Sequence, residues 1–167
     1  QQRGLVIVGG GKYLASAYVT ARVVRHVGCD LPIELWHLDG EVGDRARHLL
    51  EELNVVCVDA DAMVRQHPYR FLTGHWWRGW QLKAYALAYN SFREALYVDA
   101  DCYPLRDPSD LFDLPAYKDS GSVIWPDIAN SQCLLTPEQT EVFGIPAFTD
   151  MAAESGQFLV NRESCWK

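Results

Sequence analysis

Asp99 and Asp101 stand one residue apart at the end of the apolar run Ala95-Leu96-Tyr97-Val98. Alternate side chains of an extended or tightly turned segment point the same way. The two carboxylates can therefore converge while Ala100 faces elsewhere. Converging carboxylates repel one another unless a positive charge lies between them. A hard divalent cation bound through oxygen, with phosphate completing its shell, is the usual solution. An ordinary acidic loop is the bland alternative. Beyond the pair, Cys102-Tyr103-Pro104-Leu105 turns the chain away, and Asp107-Pro108 holds it on a fixed non-helical path. The same word occurs earlier as Val58-Asp59-Ala60-Asp61, also after a strand-like run. That copy runs into Ala62-Met63-Val64-Arg65 with no turn former for several positions, so the later copy is preferred as the site.

Lys83 is the second candidate. It is the only charge between Arg78 and Arg93, in a stretch from Trp76 to Asn90 that reads as a helix apolar almost all round and hence buried. Lysine is almost never fully buried without a partner. Its stem reaches water, it makes a structural ion pair, or its ammonium meets an anion at the sheet edge. Gly9-Gly10-Gly11 is the third. A dinucleotide fingerprint fails because Leu14 stands where the last glycine belongs, and a phosphate loop fails for want of Gly-Lys-Ser/Thr. What remains is a plain tight turn, or one where backbone approaches a flat or anionic ligand closely.

The elements that must position these residues alternate. Leu5-Val6-Ile7-Val8 has the pattern of a doubly buried strand, and a helix from about Tyr13 to Val27 follows, stopped by Gly28. Ile33 to Leu38 reads as a second strand, Val42 to Leu53 as an amphipathic helix with Leu49 and Leu50 inward, and Val55 to Val58 as a third strand. Such spacing implies right-handed parallel crossovers. Asp59 to His75 reads as a loop containing Pro68, Asp107 to Phe112 as a short capped helical turn, and Val123 to Trp125 as a short strand closed by Pro126. Ile128 to Met151 reads as a long excursion with one helical turn near Pro137, and Phe158 to Val160 as the last strand. In open α/β folds of this kind ligands bind at the carboxyl ends of the strands, where the paired aspartates fall.

The 167 residues suffice for one domain with a substantial core, and six Trp, eight Tyr and six Phe within a 49% hydrophobic chain exclude disorder. Acidic residues outnumber basic ones 22 to 15, a net charge of −7, which argues against a nucleic-acid surface. No run is long enough to span a membrane and no signal peptide is visible. The first residue is Gln, so an upstream anchor would be invisible. The five cysteines form no Cys-x-x-Cys pair, which disfavours a zinc or redox motif, and Cys57 and Cys102 read as buried thiols.

Taken together, the pieces resemble the GT-A glycosyltransferases. The fungal α-mannosyltransferase group is nearest, and glycogenin-like retaining enzymes are more distant. Four items in the correct order carry the likeness: the strand with Gly9-Gly10-Gly11; Gln81-Leu82-Lys83-Ala84-Tyr85-Ala86; Leu96 to Asp101 with Pro104-Leu105-Arg106-Asp107-Pro108; and Glu154-Ser155-Gly156-Gln157-Phe158. The resemblance implies one GT-A domain over residues 1–167, with a Rossmann-like, mostly parallel sheet flanked by helices. Relatives carry more chain beyond the last motif, including a third metal ligand that is often histidine. Here no histidine follows His75, so a truncated or minimal form is expected.

The resemblance further implies that Asp99 and Asp101 hold manganese, or magnesium, against the diphosphate of a nucleotide sugar. GDP-mannose is the favoured donor and a UDP-hexose the alternative. Val8, Gly9, Gly10, Gly11, Lys83, Ala100 and Gly156 would contact the donor. Glu154 and Gln157 would lie beneath the transferred sugar, and Trp125 and Asp127 on the side of a glycan or glycoprotein acceptor. Retention of configuration is implied, with a front-face transfer preferred because Gln157 is a weak nucleophile. By analogy the work is done in the Golgi lumen, with any anchor outside this chain. Two rival readings stay open: a non-catalytic nucleotide-sugar-binding domain, and a haloacid dehalogenase-type phosphatase, in which the first Asp attacks phosphate.

Overall fold

The computed structural model describes residues 2–68, 81–130, 136–142, 144 and 151–165. The expected helix start at Trp76 to Trp80 and much of the excursion after Asn130 lie outside the described residues.

The strand and helix patterns of the first third fold as alternating β1 (Arg3–Val8), α1 (Leu14–His26), β2 (Ile33–His37), α2 (Asp44–Glu51) and β3 (Val55–Asp59). Then come α3 (Ala60–Gln66), α4 (Gln81–Tyr89), β4 (Glu94–Asp99), a 3-10 turn over Pro108–Asp113, and α5 (Pro115–Ser120). β5 (Ser122–Asn130), α6 (Pro137–Val142), β6 (Met151–Asn161) and α7 (Arg162–Cys165) complete the order. The six strands form one mixed sheet in the order β3-β2-β1-β4-β6-β5. β1 pairs in parallel with both β2 and β4, whereas β6 runs antiparallel to β4 and to β5. The chain winds outward from β1 to β3 and then returns to the other side of β1. The crevice between the ends of β1 and β4 is therefore the topological switch point.

Strand alternation sorts the core into two layers. Leu5, Ile7, Leu35, Leu96 and Val98 pack on one face with Ala17, Ala21 and Val24 of α1, Leu50 of α2 and Tyr117 of α5. Val6, Trp36, Ala95 and Tyr97 pack on the other with Ala60 of α3 and Leu82, Tyr85 and Ala86 of α4. Each such Leu, Ile or Val side chain, once fully buried, contributes about 1.5–3 kcal/mol. This second layer delivers α4, and with it Lys83, to the edge where β4 ends.

Several expectations need correcting. Asp59 to Gln66 is not loop: the Asp59 carboxylate accepts from Asp61 N at 2.9 Å and Ala62 N at 3.2 Å, capping α3, which ends just before Pro68. Leu49 is 37% exposed, so α2 buries a narrower stripe than its sequence suggests. β5 continues past Pro126, with a register shift that accommodates the missing N–H. β6 starts at Met151, so the Glu154 to Gln157 segment is strand rather than its lead-in. α5 carried no signal beyond Pro115 at its first turn and the left-handed Gly121 at its end. Cys57 and Cys102 are half-buried rather than enclosed.

Candidate active site

β4 carries Tyr97 and Asp99 on the face covered by α4, and the chain then turns sharply, Cys102 N donating to Asp99 O at 3.0 Å. Ala100 points into the opposite layer. There Thr20 of α1 donates its hydroxyl to Ala100 O at 2.7 Å, tying the turn to the core. A Cβ on Gly9 would lie 3.0 Å from that of Ala100, so both residues must be small. Asp99 and Asp101 are thus left lining the same cleft on either side of a buried alanine.

The ammonium of Lys83 lies 2.7 Å from each oxygen of Asp99 and donates to Ser155 O at 3.2 Å. The Tyr97 hydroxyl donates to Asp99 Oδ1 at 2.5 Å, and Lys83 Nζ sits 5.6 Å from the Tyr97 ring centre. Burial first, and then the hydrogen bond to Asp99, pushes the Tyr97 hydroxyl far above the ordinary tyrosine range, so it stays a donor. Burial, followed by the charges of Asp101 and Asp99, likewise raises the Cys102 thiol.

The cleft encloses about 420 Å³, within the range of small-ligand sites. Val8, Gly9, Gly10, Lys83, Asp99, Ala100 and Asp101 line it, as the sequence reading grouped them. Gly11 stands just outside, at a φ of +52° that favours glycine. Gly156 is buried beside Asp99: a Cβ there would lie 3.1 Å from Glu154 Oε1, 3.3 Å from Cys102 Sγ and 3.5 Å from Asp99 Oδ2. Glu154 turns back to accept from Gly156 N at 2.7 Å, so its carboxylate and that of Asp99 both border Gly156. Gln157 pairs with Val98 and so lies one residue out of step with Asp99, on the α1 side of the sheet. Trp125 packs against that same layer and Asp127 accepts from Ile128 N at 2.6 Å; neither lines the cleft.

The sequence reading did not single out Lys12, Tyr13, Leu38, Glu41, Leu82 or Tyr97, all of which line the cleft. Leu38 and Glu41 could have been suspected, since they follow β2 at the same carboxyl edge of the sheet.

The donor set suits a hard cation in part. Two carboxylates lie on one cleft, but among the described residues no group of three or more His, Cys, Asp or Glu could hold a metal. Magnesium-like ions are commonly held by one or two carboxylates plus substrate phosphates, so the pair fits as half of a shell.

The sequence profile of a family described as "Mannosyltransferase putative" matches residues 2–148. The α-1,2-mannosyltransferase MNN22 of Candida albicans is 30% identical over 166 residues, covering 95% of this chain and 27% of its own. The α-1,2-mannosyltransferase MNN2 of Saccharomyces cerevisiae is 25% identical over 197 residues, covering 95% of this chain and 32% of its own. The chain thus spans about a third or less of these relatives. Among solved structures, the galactosyltransferase LgtC with donor and acceptor sugar analogs superposes with a TM-score of 0.61 at 16% identity, over 96% of this chain and 58% of LgtC. The bifunctional glycosyltransferase WbbM superposes with a TM-score of 0.68 at 13% identity, over 98% of this chain and 32% of WbbM. The fold is that of the GT-A glycosyltransferases.

Proposed function

This chain belongs to the mannosyltransferase family matched over residues 2–148, and from that premise we propose that it transfers mannose from a nucleoside-diphosphate sugar to a hydroxyl of a glycan or glycoprotein. GDP-mannose is the favoured donor, transfer proceeds with retention, and manganese or magnesium assists. The observation that carries the reading is the meeting of Asp99, Asp101 and Lys83 on one cleft at the switch point of the sheet.

Asp99 and Asp101 would hold the cation, which when bound supplies positive charge against the leaving diphosphate. The chain's own residues do the rest. Lys83 stands where negative charge would grow on the diphosphate and stabilises it there. Tyr97 keeps Asp99 oriented by a hydroxyl that does not ionise in the working range. Glu154, anchored by Gly156 N, sets a carboxylate near the sugar carbon as it gains oxocarbenium character. The acceptor proton passes to the leaving phosphate on the same face, since Gln157 is a poor nucleophile and sits out of step with the cleft. The phosphatase reading needs an Asp99 oxygen free to attack phosphorus, and, like the metal role, it would first have to displace Lys83 or Tyr97 from that carboxylate.

The experiment is a thermal-shift panel of nucleotide sugars with and without manganese, followed by a transfer assay of the hits with Asp101→Ala alongside. Manganese-dependent stabilisation by a GDP-sugar, and transfer abolished in the variant, support the reading. Near-normal transfer by Asp101→Ala removes the metal role, and stabilisation without transfer leaves a donor-binding domain.

A further inference from the structure

The carboxylate of Glu41 lies in the same cleft, where β1 runs into α1, and the glycines beside it leave room for it. A Cβ on Gly10 would come within 2.5 Å of Glu41 Oε2 and 2.7 Å of its Cβ, and one on Gly11 within 3.3 Å of Oε1. Main chain holds the residue from several directions. Leu38 N donates to Oε2 at 2.9 Å, Glu41 N to Leu38 O at 3.2 Å, and Gly11 N to Glu41 O at 3.2 Å. Oε1 has no hydrogen-bond donor among the described residues, so a fixed acceptor is left bordering the cavity.

That placement decides between the two ligands the glycine turn could approach. Lys12 also lines the cleft, its ammonium 4.8 Å from the Tyr13 ring centre. The group set directly against Gly10 and Gly11 is nonetheless the Glu41 carboxylate, so an anion approaching that backbone would be repelled. The diphosphate therefore belongs at the Lys83 end, and a flat group with N–H donors belongs here. Granted a nucleotide-sugar donor, we propose that Glu41 reads its base by accepting the ring N–H and the adjacent amino N–H of guanine. Guanine presents those two donors side by side on one edge, matching the acceptor-only inventory of a carboxylate. Uracil offers one N–H between two carbonyl oxygens, which a carboxylate repels.

The test titrates GDP, IDP (which lacks the amino group), UDP and XDP, with manganese, against the unaltered protein, Glu41→Gln and Gly10→Ala. Circular dichroism checks each fold. The unaltered protein should prefer GDP to UDP by about tenfold or more, and to IDP by several-fold. Glu41→Gln should lose roughly ten- to hundredfold in GDP affinity and gain toward both UDP and XDP, each of which sets a ring N–H beside a carbonyl that an amide can match. Gly10→Ala, which crowds the carboxylate from its seat, should repeat the loss for GDP. Equal binding of GDP and UDP overturns the assignment while leaving the donor reading intact. So does a Glu41→Gln loss that is the same for every base, since the carboxylate would then be holding ribose hydroxyls. If no nucleotide binds the folded protein, the donor reading falls and this one with it. Asp101→Ala should weaken all four nucleotides alike without changing their order, which separates the base end from the diphosphate end.

Discussion

Lys83 and Asp99, separated by 16 positions in sequence, meet with the ammonium 2.7 Å from each carboxylate oxygen. The pair is half-enclosed, with side chains 15% and 22% exposed, so its charges are only partly screened by water. A cation held by Asp99 would therefore have to compete with an ammonium already there, and Lys83 would turn to the diphosphate of the proposed donor only as that exchange occurred.

Lys83→Met should separate those two roles. Transfer should fall by roughly a hundredfold or more, the usual effect of removing a group that stabilises developing charge. Manganese alone should bind more tightly, because both oxygens of Asp99 lose their resident cation. Asp99 keeps the Tyr97 hydroxyl, so the folding cost should stay near ~1 kcal/mol. Metal titration followed by paramagnetic resonance, beside a transfer assay, reads both. Unchanged metal affinity would show that lysine and cation do not share Asp99.

The two copies of Val-Asp-Ala-Asp should respond in opposite ways. Asp59 caps α3 with its side chain, so Asp59→Ala should cost about 1 kcal/mol, a drop of a few degrees in melting temperature, and leave donor binding alone. Asp101 is exposed on the cleft, so Asp101→Ala should leave the melting temperature within about 2 °C while abolishing manganese-dependent binding. Differential scanning calorimetry and titration of the two variants check the contrast. A reversal would mean that the earlier copy is the site.

That contrast also marks how far the sequence could be read. The parallel half was legible because doubly buried strands are continuous apolar runs, and Leu5 to Val8 and Ala95 to Val98 carry no competing pattern. Pro104 and Pro108 set the later Asp-x-Asp apart from its twin, although the segment that the first one caps reads as loop in sequence and folds as α3. The face of Gln157 was not legible, because which strand neighbours β6, and in what register, is decided by a pairing across 60-odd residues of chain. Glu41 is half legible: its place after β2 at the carboxyl edge marks it as a candidate, but its meeting with the glycines after β1 is a contact that no local spacing announces.

Gly156→Ala should act on the site more than on the fold. The new methyl would fall 3.1 Å from Glu154 Oε1 and 3.3 Å from Cys102 Sγ, so these two side chains must each yield slightly, while Asp99 Oδ2 at 3.5 Å stays in ordinary contact. Crowding of this size costs about 1–3 kcal/mol when the surroundings are rigid. Because the Glu154 carboxylate can rotate away, the stability loss should lie at the low end while kcat falls at least tenfold with KM for the donor little changed. Steady-state kinetics at several donor concentrations test this, and a variant with full kcat would show that the Glu154 carboxylate need not hold that position.

The thiols give a pH-dependent prediction that does not involve the cleft. Cys29 is fully buried, and burial raises its thiol from 9.0 to about 11. The folded state therefore keeps its proton between those values while the unfolded chain releases it. Since the native state then binds more protons, stability falls as pH rises across that window and is unaffected by this group below it. Equilibrium unfolding at pH 8, 9, 10 and 11 should show the extra loss in the unaltered protein and a shallower slope in Cys29→Ala, whatever that variant's overall stability. At pH 8 the native thiol is ionised to only about one part in a thousand, so a maleimide should label exposed Cys165 and spare Cys29 until denaturant is added. Rapid labelling of Cys29 in the native protein, or identical pH slopes for the two proteins, would mean that the core around α1 opens to water far more readily than its packing allows.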